Sequence, residues 1–356
     1  MCRILRALGV TRVSMLIDDL LIAAETEEEC QRCLEIAIQL FTALGFETNM
    51  DKCHAPVRAL DYVGIVIADS GELRIEQSRL ERYGAHLQSA LFSGQLKRED
   101  LATLLGKLSW AALILRGARA HMRRMWDLLA AHPEGFEGNI PLTAGFCADA
   151  GWWITHIRGR QLAGSLIWLY GTRHDVVTIK TDGSGSSRWC FVSPTADGTH
   201  HLVHGRNRGR DAEIHVPFIE LSAVHECCCA HAREWSGRLV RFGIDAASMA
   251  DVLNTHTSSD PDLMRLIRFI AALQTDFRFD IVGVHVTRSA NRLADEGTHV
   301  GNHPQDYLPY LDEEGFSATE FEGISRPYPI DSPLLSTAVY ELRLGRRRPL
   351  PWTTRR

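Results

Sequence analysis

The sequence lacks any long apolar segment. No run of apolar residues approaches the roughly 20 residues needed to cross a bilayer, and the apolar stretch near the amino terminus is interrupted by Asp18 and Asp19. Such an interruption is unlike the apolar region of a secretory signal. The sequence therefore predicts an intracellular protein, cytoplasmic or nuclear, with no membrane partner.

The sequence also lacks the cysteine pattern of a disulfide framework. Its nine cysteines are an odd number and include the consecutive run Cys227 to Cys229, which suits small buried side chains in a reducing compartment better than paired thiols. Cys30, Cys33, Cys53 and His54 superficially offer four zinc ligands. The first two lie within an amphipathic helical pattern rather than on a knuckle, which disfavours a zinc site.

An excess of positive charge is absent as well. Thirty-nine Lys and Arg against 44 Asp and Glu give a net charge of −5, which disfavours wholesale wrapping of nucleic acid and predicts that any such contact is local. Residues 301–356 form an acidic linker followed by a basic tail that contains Arg346 to Arg348. The tail is interpreted as a solvated end, a phosphate contact or a nuclear address.

The length and the periodicities predict a multidomain α/β chain. At about 150 residues per domain, 356 residues predict two or three domains. A hairpin pattern over residues 13–24 is followed by a helical one over 27–44 and a strand-like one over 60–68, and residues 76–130 have mainly helical spacing. From Val176 onward, strand and helix patterns alternate, which is typical of a mixed α/β sheet.

Four acidic residues occupy suggestive positions in this last region. Asp182 and Asp245 each end a predicted strand, Glu220 lies in the first turn of the helix between those strands, and Asp295 lies near the start of the last helix. If the two strands are parallel neighbours, their carboxyl ends lie about 5 Å apart. Four carboxylates gathered at one edge would need shifted pKa values or cations, and a pair of Mg²⁺ ions meets that need.

The stretch from Thr178 to His299 resembles the ribonuclease H domain of reverse-transcribing elements. The resemblance is carried by four segments, which are Thr181-Asp182-Gly183-Ser184, Ile219-Glu220-Leu221-Ser222-Ala223, Gly243-Ile244-Asp245, and His285 with Asn291-Arg292-Leu293-Ala294-Asp295. It implies that the four acids bind two Mg²⁺ (Mn²⁺ as a substitute), one activating a water and the other stabilising the leaving 3′-oxygen. It also implies an RNA–DNA hybrid substrate and a proton-transfer or product-release role for His285, for which a purely structural role is the alternative.

The amino-terminal region resembles part of a reverse transcriptase palm. Leu16-Ile17-Asp18-Asp19 is similar to the aromatic-x-Asp-Asp hairpin of that family, and the segments around Gly45 and Lys52 and around Asp61-Tyr62-Val63-Gly64 are similar to its following motifs. The order of the regions resembles that of retroelement polyproteins, and the paired Trp152-Trp153 before the nuclease region and the style of its motifs resemble the DIRS kind most. The resemblance implies a partial palm at 1–75, a helical thumb at 76–132, a connection at 133–175, a ribonuclease H-like domain at 176–300 and a tail at 301–356.

The departures from these families define the functional alternatives. Leu16 replaces the usual aromatic residue, and the seventeen residues before Asp18 contain no strand with the third metal-binding acid, so polymerase activity is predicted to be absent. All four nuclease acids are present, which favours an active endoribonuclease. The alternatives are a catalytically silent remnant that binds nucleic acid or other polyprotein parts, and a transposase-like nuclease on the same fold.

Overall fold

The computed structural model describes residues 1–115, 117–159, 164–165, 176–185, 188–194, 200–206 and 215–299. The predicted acidic linker and basic tail at 301–356 therefore lie outside the described residues. The chain divides into two compact units, Met1–Arg79 and Leu80–Arg356. The predicted domain boundaries stay predictions.

The amino-terminal unit contains short helices and antiparallel strands. Its elements are α1 (Cys2–Ala7), β1 (Val13–Leu16), β2 (Asp19–Ile22), α2 (Glu27–Ala43), β3 (Ala59–Tyr62), β4 (Ile65–Ala68) and β5 (Glu72–Arg74). The predicted hairpin is confirmed, since β1 pairs antiparallel with β2. Cys33 and Ala37 lie on the buried face of α2 and pack with Leu5 and Val13 in a small core, so Cys33 is a core residue.

The prediction of one strand over residues 60–68 is wrong. The segment forms two antiparallel strands, with Leu60 opposite Ile67 and Tyr62 opposite Ile65. The chain reverses at Val63 and Gly64, which have φ values of 48° and 87°. Gly64 adopts this left-handed backbone without steric cost, and its main-chain N–H donates to Asp61 Oδ1 at 2.9 Å. The strand-forming residues on both sides of Gly64 hid this two-residue turn.

Residues 77–158 are mainly helical, as the periodicity predicts for residues 76–130. The elements are α3 (Gln77–Ser93), β6 (Gln95–Lys97), α4 (Arg98–Ala112), α5 (Arg123–Ala130), β7 (Asn139–Pro141) and α6 (Ala144–Arg158). The segment predicted as a linker after His132 ends in β7, which pairs antiparallel with β6. This pairing ties the segment back onto the helical region that precedes it.

Apart from the two-residue strand Gly164–Ser165, the remaining described residues form a mixed sheet flanked by helices. The elements are β8 (Gly164–Ser165), β9 (Val176–Gly183), β10 (Arg188–Pro194), β11 (His200–Arg206), α7 (Val216–His231), β12 (Leu239–Ile244), α8 (Ala247–Thr255), α9 (Pro261–Phe277), β13 (Asp280–His285) and α10 (Arg292–Gly297). Strands β9 to β13 make a five-stranded sheet in the order β11-β10-β9-β12-β13. The strand β10 is antiparallel to both of its neighbours, whereas β12 is parallel to β9 and β13. The predicted mixed α/β class is confirmed.

Helix α7 is apolar on nearly every side because it lies inside the largest group of buried apolar side chains described for the chain. This helix packs against β9 and β10 and is covered on its other side by α9. Cys227, Cys228 and Cys229 belong to the hydrophobic core there, as predicted. Helices buried on most of their circumference are apolar all round. In the part of the chain that the structure describes, no helix has the length and hydropathy needed to cross a membrane.

Candidate metal centre

The strand register brings Asp182 and Asp245 to the same edge of the sheet. Lys180 of β9 pairs with Gly243 of the parallel strand β12, so Asp182 and Asp245 each lie two residues beyond this pair. Asp245 follows the last residue of its strand, as predicted. Asp182 instead lies within β9, which continues to Gly183 through its pairing with β10.

Glu220 approaches from α7 through a contact that only glycine permits. It is the fifth residue of the helix, at the start of the second turn rather than in the first turn as predicted. A Cβ atom on Gly183 would lie 2.5 Å from the main-chain nitrogen of Glu220. The missing side chain at Gly183 therefore lets the helix backbone lie directly against β9, beside Asp182.

The three carboxylates form one compact group. One oxygen from each of Asp182, Glu220 and Asp245 lies within 4.8 Å of the others. Asp182 and Glu220 are only 5% and 7% exposed, and Asp245 is half-buried. Within the described ranges, this is the one group of three or more acidic, histidine or cysteine side chains close enough to share a metal ion.

Burial and mutual repulsion change the acidity of this group. The pKa of Asp182 is raised to about 7, first by burial and then by the charges of Asp245 and Asp295, while Arg288 acts in the opposite direction. The pKa of Glu220 is raised to about 8, first by burial and then by the charges of Asp182, Asp245 and Asp295. Without a cation, the cluster therefore retains protons near neutral pH.

The donor set fits a hard divalent cation. Glu220 Oε2 is buried and has no hydrogen-bond partner among the described residues, although an unpaired buried acceptor is costly. Carboxylate oxygens are the ligands that Mg²⁺ and Mn²⁺ prefer. A cation at this position would satisfy the unpaired oxygen and remove the repulsion among the three acids.

Asp295 lies beside this group but is held by a different partner. It is in α10, as predicted, and is not one of the three acids whose oxygens converge. Arg288 donates to both of its carboxylate oxygens, from Nη2 to Oδ1 at 3.0 Å and from Nε to Oδ2 at 3.3 Å. The charge of Asp295 still reaches the cluster, because it raises the pKa of Asp182.

His285 is the last residue of β13 and is exposed. In the parallel register it pairs with Ile244, the residue before Asp245. The side chain of His285 therefore starts at the same edge of the sheet as the three acids, next to solvent.

Sequence reasoning missed Asn291 as a residue that positions the site. Asn291 is fully buried, and its Nδ2 donates to the main-chain oxygen of Thr181 at 2.9 Å. This bond ties the segment that carries Asp295 to the strand position immediately before Asp182. The spacing of Asn291 four residues before Asp295 places both on one helical face, but it does not indicate the bond to Thr181.

The residues predicted as the polymerase remnant lie in the amino-terminal unit. Asp18 and Asp19 are exposed at the turn of the β1–β2 hairpin, and Lys52 is exposed at the end of a short 3₁₀ turn, Met50–Lys52. The main-chain oxygen of Asp19 accepts a hydrogen bond from Tyr62 Oη at 3.2 Å. The described residues bring no third acid into this pair to form a metal group.

Comparison with known proteins finds similarity only among solved structures. No protein-family profile and no curated protein matches the chain. The foamy viral protease-reverse transcriptase in complex with an RNA/DNA hybrid is 13% identical, over 80% of this chain and 37% of that one, with a TM-score of 0.42. A complex of the same viral protein with double-stranded DNA is also 13% identical, over 80% of this chain and 48% of the other, with a TM-score of 0.42.

A smaller protein matches about a third of this chain. The RNase H1 of the halophilic archaeon Halobacterium salinarum is 21% identical, over 36% of this chain and 98% of that one, with a TM-score of 0.29. This chain spans about half or less of the length of the two viral chains above. These matches are similarities of low identity. The fold class rests on the strand order and pairing described above.

Proposed function

We propose that this chain is a divalent-metal-dependent endoribonuclease of the ribonuclease H type, which hydrolyses the RNA strand of RNA–DNA hybrids. The observation that carries the proposal is the convergence of Asp182, Glu220 and Asp245 within 4.8 Å at one edge of the mixed sheet. The topology and these acids agree with the resemblance found in the sequence. The nucleic acid is the partner, and Mg²⁺ or Mn²⁺ is the cofactor.

The side chains have distinct tasks in this proposal. Asp182, Glu220 and Asp245 hold the cation, and Asp295 supplies the fourth carboxylate. Bound divalent ions supply an activated water and charge stabilisation for the phosphate. His285, exposed at the same edge, accepts or releases a proton at its imidazole ring as the product leaves.

We further propose that residues 1–75 are part of a reverse transcriptase palm and residues 76–132 a thumb-like region, followed by the connection at 133–175. The exposed Asp18-Asp19 hairpin supports the first assignment and the successive helices support the second. The site at Asp18 and Asp19 gathers two acids among the described residues, so we expect no DNA synthesis. In this proposal the protein originates from a DIRS-like retroelement, and other polyprotein parts are further partners.

One observation favours the alternative of a silent nucleic-acid-binding remnant. Asp295 is paired with Arg288 instead of joining the other three acids. A remnant of this kind would bind the hybrid with a salt-dependent affinity and without turnover.

Hydrolysis of an end-labelled RNA–DNA hybrid in Mg²⁺ separates the two functions. The wild-type chain is expected to cut internal positions of the RNA strand, whereas Asp182→Asn and Asp245→Asn lose the cleavage. Asp251→Asn, which changes an exposed acid on α8, serves as the matched control and retains the activity. Wild-type protein that binds the hybrid but leaves it intact in both Mg²⁺ and Mn²⁺ would establish the alternative.

A further inference from the structure

The contact between Arg288 and Asp295 has the geometry of a two-point ion pair. Two guanidinium nitrogens of Arg288 each donate to a different oxygen of the same carboxylate, at 3.0 and 3.3 Å. The planar fork of an arginine matches a carboxylate in this way, and each carboxylate oxygen then accepts a charge-assisted hydrogen bond. Asp295 therefore has a cationic partner already.

The two residues differ in how firmly they are held. Arg288 opens a short 3₁₀ turn, Arg288–Asn291, which is capped by Thr287 and anchored to β9 through Asn291. The turn backbone is thus fixed, but the Arg288 side chain is 75% exposed, against 22% for Asp295. An exposed arginine leaves its partner for water at small cost, whereas Asp295 stays beside the cluster.

The guanidinium of Arg288 occupies the carboxylate that a second cation beside the three-acid group would share. Asp295 lies close enough to Asp182 to act on it electrostatically, and the compact group of three acids offers the ligands for a first ion. A second ion that shared Asp295 would meet oxygens that already accept hydrogen bonds, together with the repulsion of a positive charge.

We propose that Arg288 occupies Asp295 in place of a second divalent cation, so that the second ion binds only by displacing the guanidinium. This inference rests on the proposed function, because it takes the three-acid group as the first metal site. Arg288 is thereby a positioning residue that acts through Asp295 and sets the metal concentration at which the fourth carboxylate joins the centre. The first site fills without this displacement.

The test is a calorimetric titration of the full chain with Mn²⁺ in the absence of nucleic acid. Wild-type protein is expected to show a tighter and a weaker binding event. In Arg288→Gln, the weaker event is expected to tighten by about fivefold or more, within the usual range of coupling between sites, while the tighter event changes less. Arg288→Lys keeps the charge but loses the fork, so it gives an intermediate shift.

The control variant is Arg58→Gln, which breaks another exposed Arg–Asp pair in the amino-terminal unit, with Asp69 at 3.0 Å. It is expected to leave both events unchanged. An unchanged or weaker second event in Arg288→Gln, or an equal shift in Arg58→Gln, overturns the inference while the metal centre stands. Wild-type protein that binds no Mn²⁺ at all would instead remove the metal centre and the proposed function.

Discussion

Asn291 and Thr181, 110 positions apart in the chain, are joined by a hydrogen bond of 2.9 Å from the Asn291 side chain to the Thr181 main chain. The bond is buried and connects the turn before α10 to the strand that carries Asp182. Since Arg288 and Asp295 flank Asn291, this one contact fixes the position of both relative to the three-acid group.

Asn291→Ala is therefore expected to affect both stability and metal binding. Loss of the donor leaves the Thr181 oxygen buried without this partner, at a cost of about 1–3 kcal/mol. The segment with Asp295 is also released, so Mn²⁺ binding at the weaker site is expected to fall. Urea unfolding and calorimetry measure the two effects.

A second asparagine gives the comparison for a purely structural effect. Asn254 exchanges hydrogen bonds of 2.8 and 2.7 Å with the main chain of Gly283 in the same sheet. Asn254→Ala is expected to lower stability without changing Mn²⁺ affinity. Equal losses of metal affinity in both variants would contradict a specific role for Asn291.

Gly183→Ala is expected to separate Glu220 from Asp182. The new Cβ would fall 2.5 Å from the main-chain nitrogen of Glu220, so helix and strand must move apart, at a cost of about 1–3 kcal/mol for overpacking. Thermal unfolding and Mn²⁺ titration should both register the change. In Gly185→Ala the added atom meets nothing within 4 Å, so that variant is expected to behave as wild type, and metal affinity preserved in Gly183→Ala would argue against the close approach.

The stability of the metal-free protein is expected to depend on pH through the acid cluster. Asp182 and Glu220 have folded-state pKa values of about 7 and about 8, above their ordinary values. Between about pH 4 and pH 8 the folded state therefore binds more protons than the unfolded state, and these groups make it less stable as pH rises. Urea unfolding in EDTA measures this decline, and Mg²⁺ is expected to reverse it near pH 8.

Asp182→Asn isolates this contribution. The variant removes one carboxyl group whose pKa is raised and reduces the repulsion on Glu220. In EDTA at pH 8 its free energy of unfolding is therefore expected to rise by at least about 1.4 kcal/mol, the equivalent of one pKa unit. Mg²⁺ should then stabilise it less than wild type. His121 and His156, whose pKa values are lowered by burial, affect both proteins equally at acid pH. A difference between the two proteins that does not vary with pH would contradict the assignment.

Catalysis is expected to be independent of the hairpin acids in the amino-terminal unit. Asp18→Asn with Asp19→Asn changes two exposed side chains at the β1–β2 turn, so hybrid cleavage should remain at the wild-type rate. Primer extension should be undetectable with or without the changes. Primer-dependent synthesis that disappears in the double variant would show that the hairpin is part of a working polymerase site.

Periodicity and strand-end acids were sufficient to predict much of the carboxy-terminal fold. The strands before Asp182 and Asp245 were predicted from their patterns, and their register meets the condition that they are parallel neighbours. The predicted strand over residues 60–68 was wrong because the strand-forming residues on both sides outweighed Gly64, the local sign of the left-handed backbone at this turn. The spacing of apolar residues predicts regular helices and strands well, but it predicts two-residue turns poorly.

The site itself was predictable in part. The ends of the predicted strands identified Asp182 and Asp245. The ion pair of Asp295 with Arg288 and the hydrogen bond from Asn291 depend on side-chain positions that residue spacing does not encode. The close contact at Gly183 was not predictable either, because a glycine that follows an acidic residue at the end of a strand is equally consistent with a turn. Tertiary packing decides each of these features.

The central claim is that Asp182, Glu220 and Asp245 together hold a divalent cation, and diffraction from crystals grown in Mn²⁺ tests it most directly. We expect an anomalous difference peak within about 2.5 Å of an oxygen of each of the three side chains, the range of metal–oxygen bonds. No peak at this edge of the sheet at saturating Mn²⁺, or the same peak in Asp182→Asn, would contradict the account.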